Sequence, residues 1–250
     1  FFESPIYVLP RDEKICLTKD GSVRRFGALL HYDQEKIKKC GMNLHESNWL
    51  KDSDGREVKT NLYAKLFTLA VNKVASLDPS GIGIEMEADK PGWNDAMNGV
   101  PGLFGSGVSE TIELQKIVLL LKKIAGSNPN EKVKLLKSTD QLATQIESMN
   151  QEQPFDAWNE RMGYLEAYRK NLLDEQKTIT HLVSHYEALL NKMEDTLNNA
   201  LHKAKLIDPI YPTYLTYEAV DFTQLFDKSG NPIIGEYGLP VVRVNKFDVQ

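Results

Sequence analysis

Apolar residues recur at helical spacing in several stretches of the chain. From Thr60 to Ala75 the spacing predicts a helix with Thr60 as its N-cap, and the apolar positions are Leu62, Leu66, Leu69, Ala70 and Val74. A second helix is expected to begin at Ser109, with a stripe of Ile112, Ile117, Leu120, Leu121 and Ile124. Helical patterns also cover about 131–149 and, with few breakers, 154–206. The periodicity therefore predicts several long helices.

Two regions have a different pattern. Residues 15–27 place β-branched side chains around a Lys-Asp-Gly-Ser turn, which predicts a short hairpin. Residues 207–250 are rich in Pro, Gly and aromatic residues, with a "KSGNP" turn between apolar runs. We therefore expect a helical catalytic region at 1–206 and an extended loop or hairpin region at 207–250.

A long glycine-rich connection, residues 78–108, separates two of the predicted helices. Structureless connections of more than about 12–15 residues inside a compact domain are usually functional or disordered. Ile, Met, Val, Leu, Phe and Trp side chains within this connection argue against disorder. An ordered, acidic connection of this kind is a good candidate for a site.

Composition narrows the function classes. The 250 residues include 30 basic and 35 acidic side chains, a net charge of -5, which disfavours nucleic acid and anionic membranes as partners. Cys16 and Cys40 are too few for a disulfide framework, so we expect a reducing compartment, the cytoplasm, although one bridge between them stays open. The chain begins on Phe1 without an initiating Met and ends in an apolar run. We therefore expect a part of a longer polypeptide.

The acidic connection contains the residue types of a carbohydrate site. Glu85, Glu87, Lys90 and Asp95 lie close in sequence to Trp93, and Glu110 follows at the next helix start. A carboxylic acid shielded beside an indole has a raised pKa, as a general acid requires, and an indole offers a flat face to a sugar ring. The side-chain amides of Asn94 and Asn98 could orient hydroxyl groups. The alternative is that this connection packs against a domain edge with its acids solvated.

The stretch "GWNDAMNGV", residues 92–100, resembles the "DWNDGMN" signature of the cellobiose phosphorylase family. These are inverting glycoside phosphorylases, and the resemblance implies a mainly-α fold, part of an (α/α)6-barrel-type catalytic domain with a small β or loop region at each end. It also implies that Asp95 is the general acid, with Trp93, Asn94 and Asn98 in the substrate site. Two positions depart from the signature: Gly92 stands where the family has Asp, and Ala96 where it has Gly.

The resemblance implies that Asp95 protonates the glycosidic oxygen of a disaccharide or oligosaccharide while inorganic phosphate attacks the anomeric carbon. Phosphate is ionised at neutral pH and needs no general base. An inverting hydrolase would instead need a second carboxylate, ~6.5–9.5 Å away, for which Glu85, Glu87 and Glu110 are available. No phosphate-binding residue is assigned. Because the barrel needs more helices than this chain supplies, the remainder of the polypeptide or a partner subunit is expected to complete it.

Two further interpretations concern the region 155–206. His181 and His185 stand four residues apart in "HLVSH" and could present two imidazoles to a metal, but the Glu of the zinc protease motif is absent. We favour a solvated helix face and expect neither a metal site nor a cofactor other than phosphate. The long polar helices expected here would also suit a non-catalytic helical interaction subunit.

Overall fold

The structure of the protein is a computed structural model that describes residues 7–8, 15–25, 29–30, 54, 56–86, 104–150, 152–171, 177–235 and 238–249. Within these ranges it contains five α-helices, one short 3-10 helix and ten β-strands. None of the described helices is long and apolar enough to cross a membrane.

The helices of the described ranges are numbered in chain order. They are α1 (Leu62–Ala75), α2 (Val108–Ser127), α3 (Lys137–Ser148), α4 (Pro154–Asn171) and α5 (Glu187–Ile207), with the 3-10 helix at Val183–Tyr186. The strands are β1 (Tyr7–Val8), β2 (Ile15–Leu17), β3 (Val23–Arg25), β4 (Leu29–Leu30), β5 (Ile84–Glu85), β6 (Phe104–Gly107), β7 (Lys132–Leu136), β8 (Thr178–Leu182), β9 (Tyr214–Gln224) and β10 (Val242–Val249).

The largest sheet is a curled, four-stranded antiparallel sheet in the order β10-β9-β6-β5. Three two-stranded sheets, β1-β4, β2-β3 and β7-β8, accompany it. The expected mainly-α fold, part of an (α/α)6 barrel, is therefore wrong: the described residues form a mixture of helices and antiparallel sheet. Because β6 pairs with β9, residues from 104–107 and 214–224 share one sheet although they are far apart in sequence.

The helix expected over about 131–149 is a strand followed by a helix. In β7, Val133 and Leu135 are buried while Lys132 and Lys134 are exposed, which is the two-residue alternation of a half-buried strand. The chain enters α3 only at Lys137.

The long helical stretch expected over 154–206 is interrupted by β8, which pairs antiparallel with β7. His181 lies in β8 and His185 in the 3-10 helix that follows it, so the expected helix face carrying both histidines is wrong. The sequence "TITHL" contains two threonines and an isoleucine, side chains that favour a strand.

The predicted starts of α1 and α2 also need correction. Asn61, rather than Thr60, occupies the N-cap of α1, and its side-chain oxygen accepts a hydrogen bond from the Ala64 amide at 2.8 Å. Helix α2 begins directly after β6 at Val108, and Ser109 lies inside its first turn. The hairpin predicted over 15–27 is confirmed by the antiparallel pair β2-β3.

The described residues bury two apolar clusters. The larger cluster lies among the five helices and β7, with Phe67, Leu121, Leu142 and Leu197 fully buried. The smaller one lies beneath the sheet, and it includes Phe104, Leu215, Tyr217 and Val242. Through this second core the sheet packs on the start of α2 and the end of α5.

Candidate functional site at the stem of the acidic loop

The residues between β5 and β6 carry most of the predicted site. Trp93, Asn94, Asp95 and Asn98, together with Glu87 and Lys90, lie outside the described residues, which stop at 86 and resume at 104. We call residues 87–103 the acidic loop. Of the predicted site residues, the structure describes Glu85 and Glu110.

The two ends of the acidic loop lie side by side. Strands β5 and β6 are antiparallel neighbours, with Glu85 opposite Ser106, and the Met86 amide donates to the Gly105 carbonyl at 2.8 Å. The Glu85 amide in turn donates to the Ser76 carbonyl, just beyond α1, at 2.7 Å. The acidic loop therefore leaves and re-enters the fold at one edge of the four-stranded sheet.

Glu85 is held by a tryptophan that sequence reasoning did not select. The indole Nε1 of Trp158, from α4, donates to Glu85 Oε2 at 2.7 Å. Trp158 is only 5% exposed, whereas Glu85 is partly exposed at the end of β5. A carboxylate can accept several hydrogen bonds, so a partly exposed Glu85 is able to accept one from a ligand hydroxyl as well.

Trp158 belongs to an aromatic cluster that surrounds this end of the sheet. Its ring lies 5.4 Å from that of Phe155 and 5.5 Å from that of Phe247, centroid to centroid. The Phe247 ring also lies 4.9 Å from Phe104, the first described residue after the acidic loop. Offset and edge-to-face contacts of this kind are favourable beyond the area they bury. The cluster therefore fixes both the indole that contacts Glu85 and the return of the acidic loop.

Glu110 lies apart from Glu85. It is half exposed in the first turn of α2, where its carboxylate is 3.5 Å from the Lys73 ammonium. Its side chain and that of Met86 are the neighbours that a Cβ at Gly107 would meet, at 3.6 Å each. Because successive strand residues point to opposite faces, Met86 and Glu85 face opposite ways, and Glu110 lies on the side of Met86.

Beneath Glu85 lies a buried carboxylate, Asp78, that is fully shielded from solvent. Its side chain accepts hydrogen bonds from the amides of Ser80, Ile82 and Gly83 at 2.9, 3.0 and 2.6 Å. The Ser106 hydroxyl donates to it at 2.7 Å, and the Tyr217 hydroxyl also donates to it. A buried charge is tolerated when its hydrogen-bonding capacity is satisfied in this way.

A buried guanidinium balances these acids. Arg161, 8% exposed, donates from its terminal nitrogen to the Leu77 carbonyl at 3.2 Å. Burial lowers the pKa of Arg161 to about 10, while the nearby charges of Asp78 and Glu85 oppose that shift. Arg161 therefore stays protonated at neutral pH, and its positive charge interacts favourably with both carboxylates.

Tyr217 is held in its neutral form. Burial raises the pKa of its hydroxyl, and the negative charge of Asp78, to which it donates, raises it further. Tyr217 lies in β9, within the Tyr-rich segment of the C-terminal region, and faces the smaller core. Its hydrogen bond to Asp78 connects β9 to the turn before β5, as the Ser106 hydroxyl does for β6.

Sequence reasoning missed the side chains that support Glu85, namely Asp78, Ser106, Trp158, Arg161 and Tyr217. One signal was available: in "LDPSG", an Asp precedes Pro, Ser and Gly, and such an Asp commonly accepts hydrogen bonds from the amides that follow it. The others reach the site through contacts between residues far apart in sequence. The Trp158–Glu85 bond, for instance, spans 73 positions.

Comparison with known proteins adds no family to this description. No family model matches the chain, and no curated protein sequence matches it. The resemblance to the cellobiose phosphorylase family therefore stays a hypothesis carried by the "GWNDAMNGV" motif.

Proposed function

We propose that the protein is a carbohydrate-active enzyme resembling the inverting β-glucoside and β-glucan phosphorylases. Asp95 protonates the glycosidic oxygen, and inorganic phosphate attacks the anomeric carbon of a disaccharide or oligosaccharide. The observation that supports this proposal is the anchoring of the acidic loop: its two ends are paired in β5 and β6, next to Glu85 and the indole of Trp158. The loop that carries the Trp-Asn-Asp motif thus starts from a defined carboxylate and a defined aromatic cluster.

Glu85 is the substrate-binding group of this proposal that the structure describes. Its carboxylate accepts a hydrogen bond from Trp158 at 2.7 Å, so it is oriented before substrate arrives. A sugar hydroxyl donating to the same carboxylate would make a charge-assisted hydrogen bond. Trp93, Asn94, Asn98, Glu87 and Lys90 are proposed to surround the same sugar from the acidic loop.

The ion pair with Lys73 gives Glu110 a different environment from that of Glu85. It lies at the start of α2, where a carboxylate is favoured by the helix dipole. Of the two described candidates for substrate contact, Glu85 has the stronger support, because it ends the strand that leads directly into the acidic loop. A water-activating base, which a hydrolase would need, is likewise better sought at Glu85 than at Glu110.

The phosphorylase chemistry requires one essential acid in this chain. The phosphate site is proposed to come from the rest of the same polypeptide or from a partner subunit, and no metal or organic cofactor takes part in this reaction. The small number of cysteines favours the cytoplasm as the compartment.

The test is phosphate-dependent release of sugar 1-phosphate from β-glucosides by the native full-length polypeptide. Asp95→Asn is expected to lower kcat by about 10²- to 10⁴-fold, the usual contribution of a general acid. Asp221→Asn, the same change at an exposed position of β9, is the control and should leave turnover intact. Full activity in Asp95→Asn would remove Asp95 from the mechanism.

The same assay separates the competing functions. Sugar release that does not depend on phosphate would identify an inverting hydrolase instead. Absence of turnover, together with a stable complex with another protein, would favour the helical interaction subunit.

Glu85→Gln keeps an acceptor for Trp158 but loses the charge, so it should raise KM about tenfold or more, in line with about 1.5–3 kcal/mol for a hydrogen bond to a charged group.

A further inference from the structure

Three side chains of the types that bind metal ions meet beside the β7-β8 sheet. Asp140 lies in the first turn of α3, His181 in β8 and His185 in the 3-10 helix. One potential ligand atom from each of them falls within 4.8 Å of the other two. We call these three residues the His-Asp cluster.

The backbone brings the cluster together through the β7-β8 pair. Strand β7 leads directly into α3, which places Asp140 one turn beyond the end of the strand. Strand β8 runs antiparallel to β7 and is continued by the Val183 amide, which donates to the Glu131 carbonyl at 2.8 Å. The 3-10 helix then folds His185 back over His181, and their rings stack with centroids 4.1 Å apart at 9°.

The Asp140 carboxylate is oriented by a hydrogen bond from a buried tyrosine. The hydroxyl of Tyr186, a side chain only 2% exposed, donates to Asp140 Oδ1 at 2.7 Å. Metal-binding carboxylates are commonly held by such hydrogen bonds, which fix their direction before the ion arrives.

A buried ring nitrogen of His181 is a second observation that indicates a ligand. His181 Nε2 is buried and has no hydrogen-bond partner among the described residues, although it lies 3.3 Å from Asp140 Oδ1. A buried polar atom without a partner is costly, and it calls for an explanation such as an ion or a water molecule. A cation placed between Nε2 and the carboxylate would satisfy both groups.

We propose that Asp140, His181 and His185 bind a divalent transition-metal ion, with zinc as the best fit. Zinc takes imidazole nitrogens at about 2.0–2.1 Å and carboxylate oxygens at about 2.0–2.2 Å in a tetrahedron, so neighbouring ligand atoms lie roughly 3.3–3.5 Å apart. The 3.3 Å between His181 Nε2 and Asp140 Oδ1 already matches one edge of that tetrahedron. Calcium and magnesium prefer oxygen ligands and are disfavoured by two imidazoles.

His185, the third proposed ligand, lies on the solvent-exposed side of the cluster. His185 is exposed, whereas His181 and Asp140 are partly buried. One of its ring nitrogens already lies within 4.8 Å of a ligand atom of each of the other two residues. Three protein ligands leave the fourth position of zinc to water or to a substrate group, which is the arrangement of catalytic rather than structural zinc sites.

The test is titration of chelator-treated full chain with zinc chloride, followed by calorimetry, and with cobalt(II), followed by its visible absorption. We expect one zinc ion per chain and a cobalt spectrum of the four-coordinate type. His185→Ala should weaken zinc binding by at least about 100-fold, since even groups that contact only the ligands contribute about 10- to 100-fold. Because His185 is exposed, its replacement leaves the core intact.

His202→Ala is the matched control, since His202 is an exposed histidine of α5 outside the cluster. It should bind zinc like the unmodified chain. Asp140→Asn keeps an acceptor for Tyr186 and should also weaken binding. Substoichiometric zinc binding, or unchanged affinity in His185→Ala, would overturn the proposal. Turnover of sugars does not enter this test, so its outcome is independent of the proposed function.

Discussion

Gly83 provides a sharp test of the network beneath the acidic loop, because no side chain fits at its position. A Cβ there would lie 2.3 Å from Ser106 Oγ, 2.8 Å from Ser106 Cβ and 3.1 Å from Asp78 Oδ2. Rotation of the serine hydroxyl relieves the first contact but not the second. Gly83→Ala therefore has to push β5 and β6 apart or displace Asp78.

The expected cost follows from the two interactions that are disturbed. Overpacking of a filled interior costs about 1–3 kcal/mol. Loss of the 2.7 Å hydrogen bond from Ser106 to the buried Asp78 adds about 1.5–3 kcal/mol. Gly83→Ala should thus lower the free energy of unfolding by roughly 2.5–6 kcal/mol, the sum of those two ranges.

Urea unfolding at equilibrium, followed by circular dichroism, measures this loss. Gly126→Ala is the control: Gly126 lies in α2, an added Cβ meets nothing within 4 Å, and the change should stabilise the helix by about 0.5–1 kcal/mol. Ser106→Gly removes both close contacts, so in that background Gly83→Ala should cost much less than alone. An equal cost in both backgrounds, or a loss below about 0.5 kcal/mol in the single variant, would refute the reasoning.

Two further predictions concern stability. Asn61→Ala should lower the free energy of unfolding by about 0.5–2 kcal/mol in urea titrations, because it removes the cap of the Ala64 amide, while Thr60→Ala should not. Burial raises the pKa of Tyr63 to about 12 from 10.0. Because the unfolded chain ionises this hydroxyl first, the stability it contributes is complete below pH 10 and declines toward pH 12 by about 1.4 kcal/mol per pH unit. Since its hydroxyl has no hydrogen-bond partner among the described residues, Tyr63→Phe should retain stability at pH 7 and lose less of it between pH 10 and 12; an unchanged alkaline loss would contradict this assignment.

Periodicity located α1 but only part of its buried face: of the predicted apolar positions, Ala70 and Val74 are buried. The helix buries Tyr63, Phe67 and Val71, spaced by four residues, while Leu62 is 70% exposed and Leu69 43% exposed. Apolar residues occupy more than one side of this helix, so a count of leucines does not identify the side that packs. The choice is made by the partners of α1, which are α2, α3, α4 and β7.

The β7-β8 pair could not be predicted from local pattern alone. Each strand has five residues, and each is followed directly by a helix, so its short alternation is lost within a longer helical pattern. Five-residue strands are stabilised by the ladder between them, and that ladder joins Lys132 to Leu182 across the whole of α3 and α4. Non-local pairing of this kind outweighs local propensity. The same pairing brings Asp140 to His181, so the sequence showed the two histidines of the His-Asp cluster but not the carboxylate beside them.

The candidate site was predicted in part. Motif and composition selected Glu85 and Glu110, but both were chosen by proximity in sequence to Trp93. The structure separates them, because Glu110 pairs with Lys73 while Glu85 is held by Trp158. Distance along the chain does not show which face of β5 a side chain is on. In the fold, α4 packs beside Glu85, whereas Glu110 is itself part of α2.

Asp78 and Glu85 illustrate how burial divides roles between two carboxylates of one site. Asp78 has five donors and no exposed surface, so a ligand can reach it only if its network is dismantled. Glu85 is partly exposed, and the hydrogen bond from Trp158 orients it without covering it. Of these two carboxylates, Glu85 is the one that solvent reaches, while Asp78, by tying the turn before β5 to β6 and β9, fixes where Glu85 lies. Under the proposed function, a substitution that disturbs Asp78 should then weaken substrate binding through the position of Glu85, because Asp78 itself is buried.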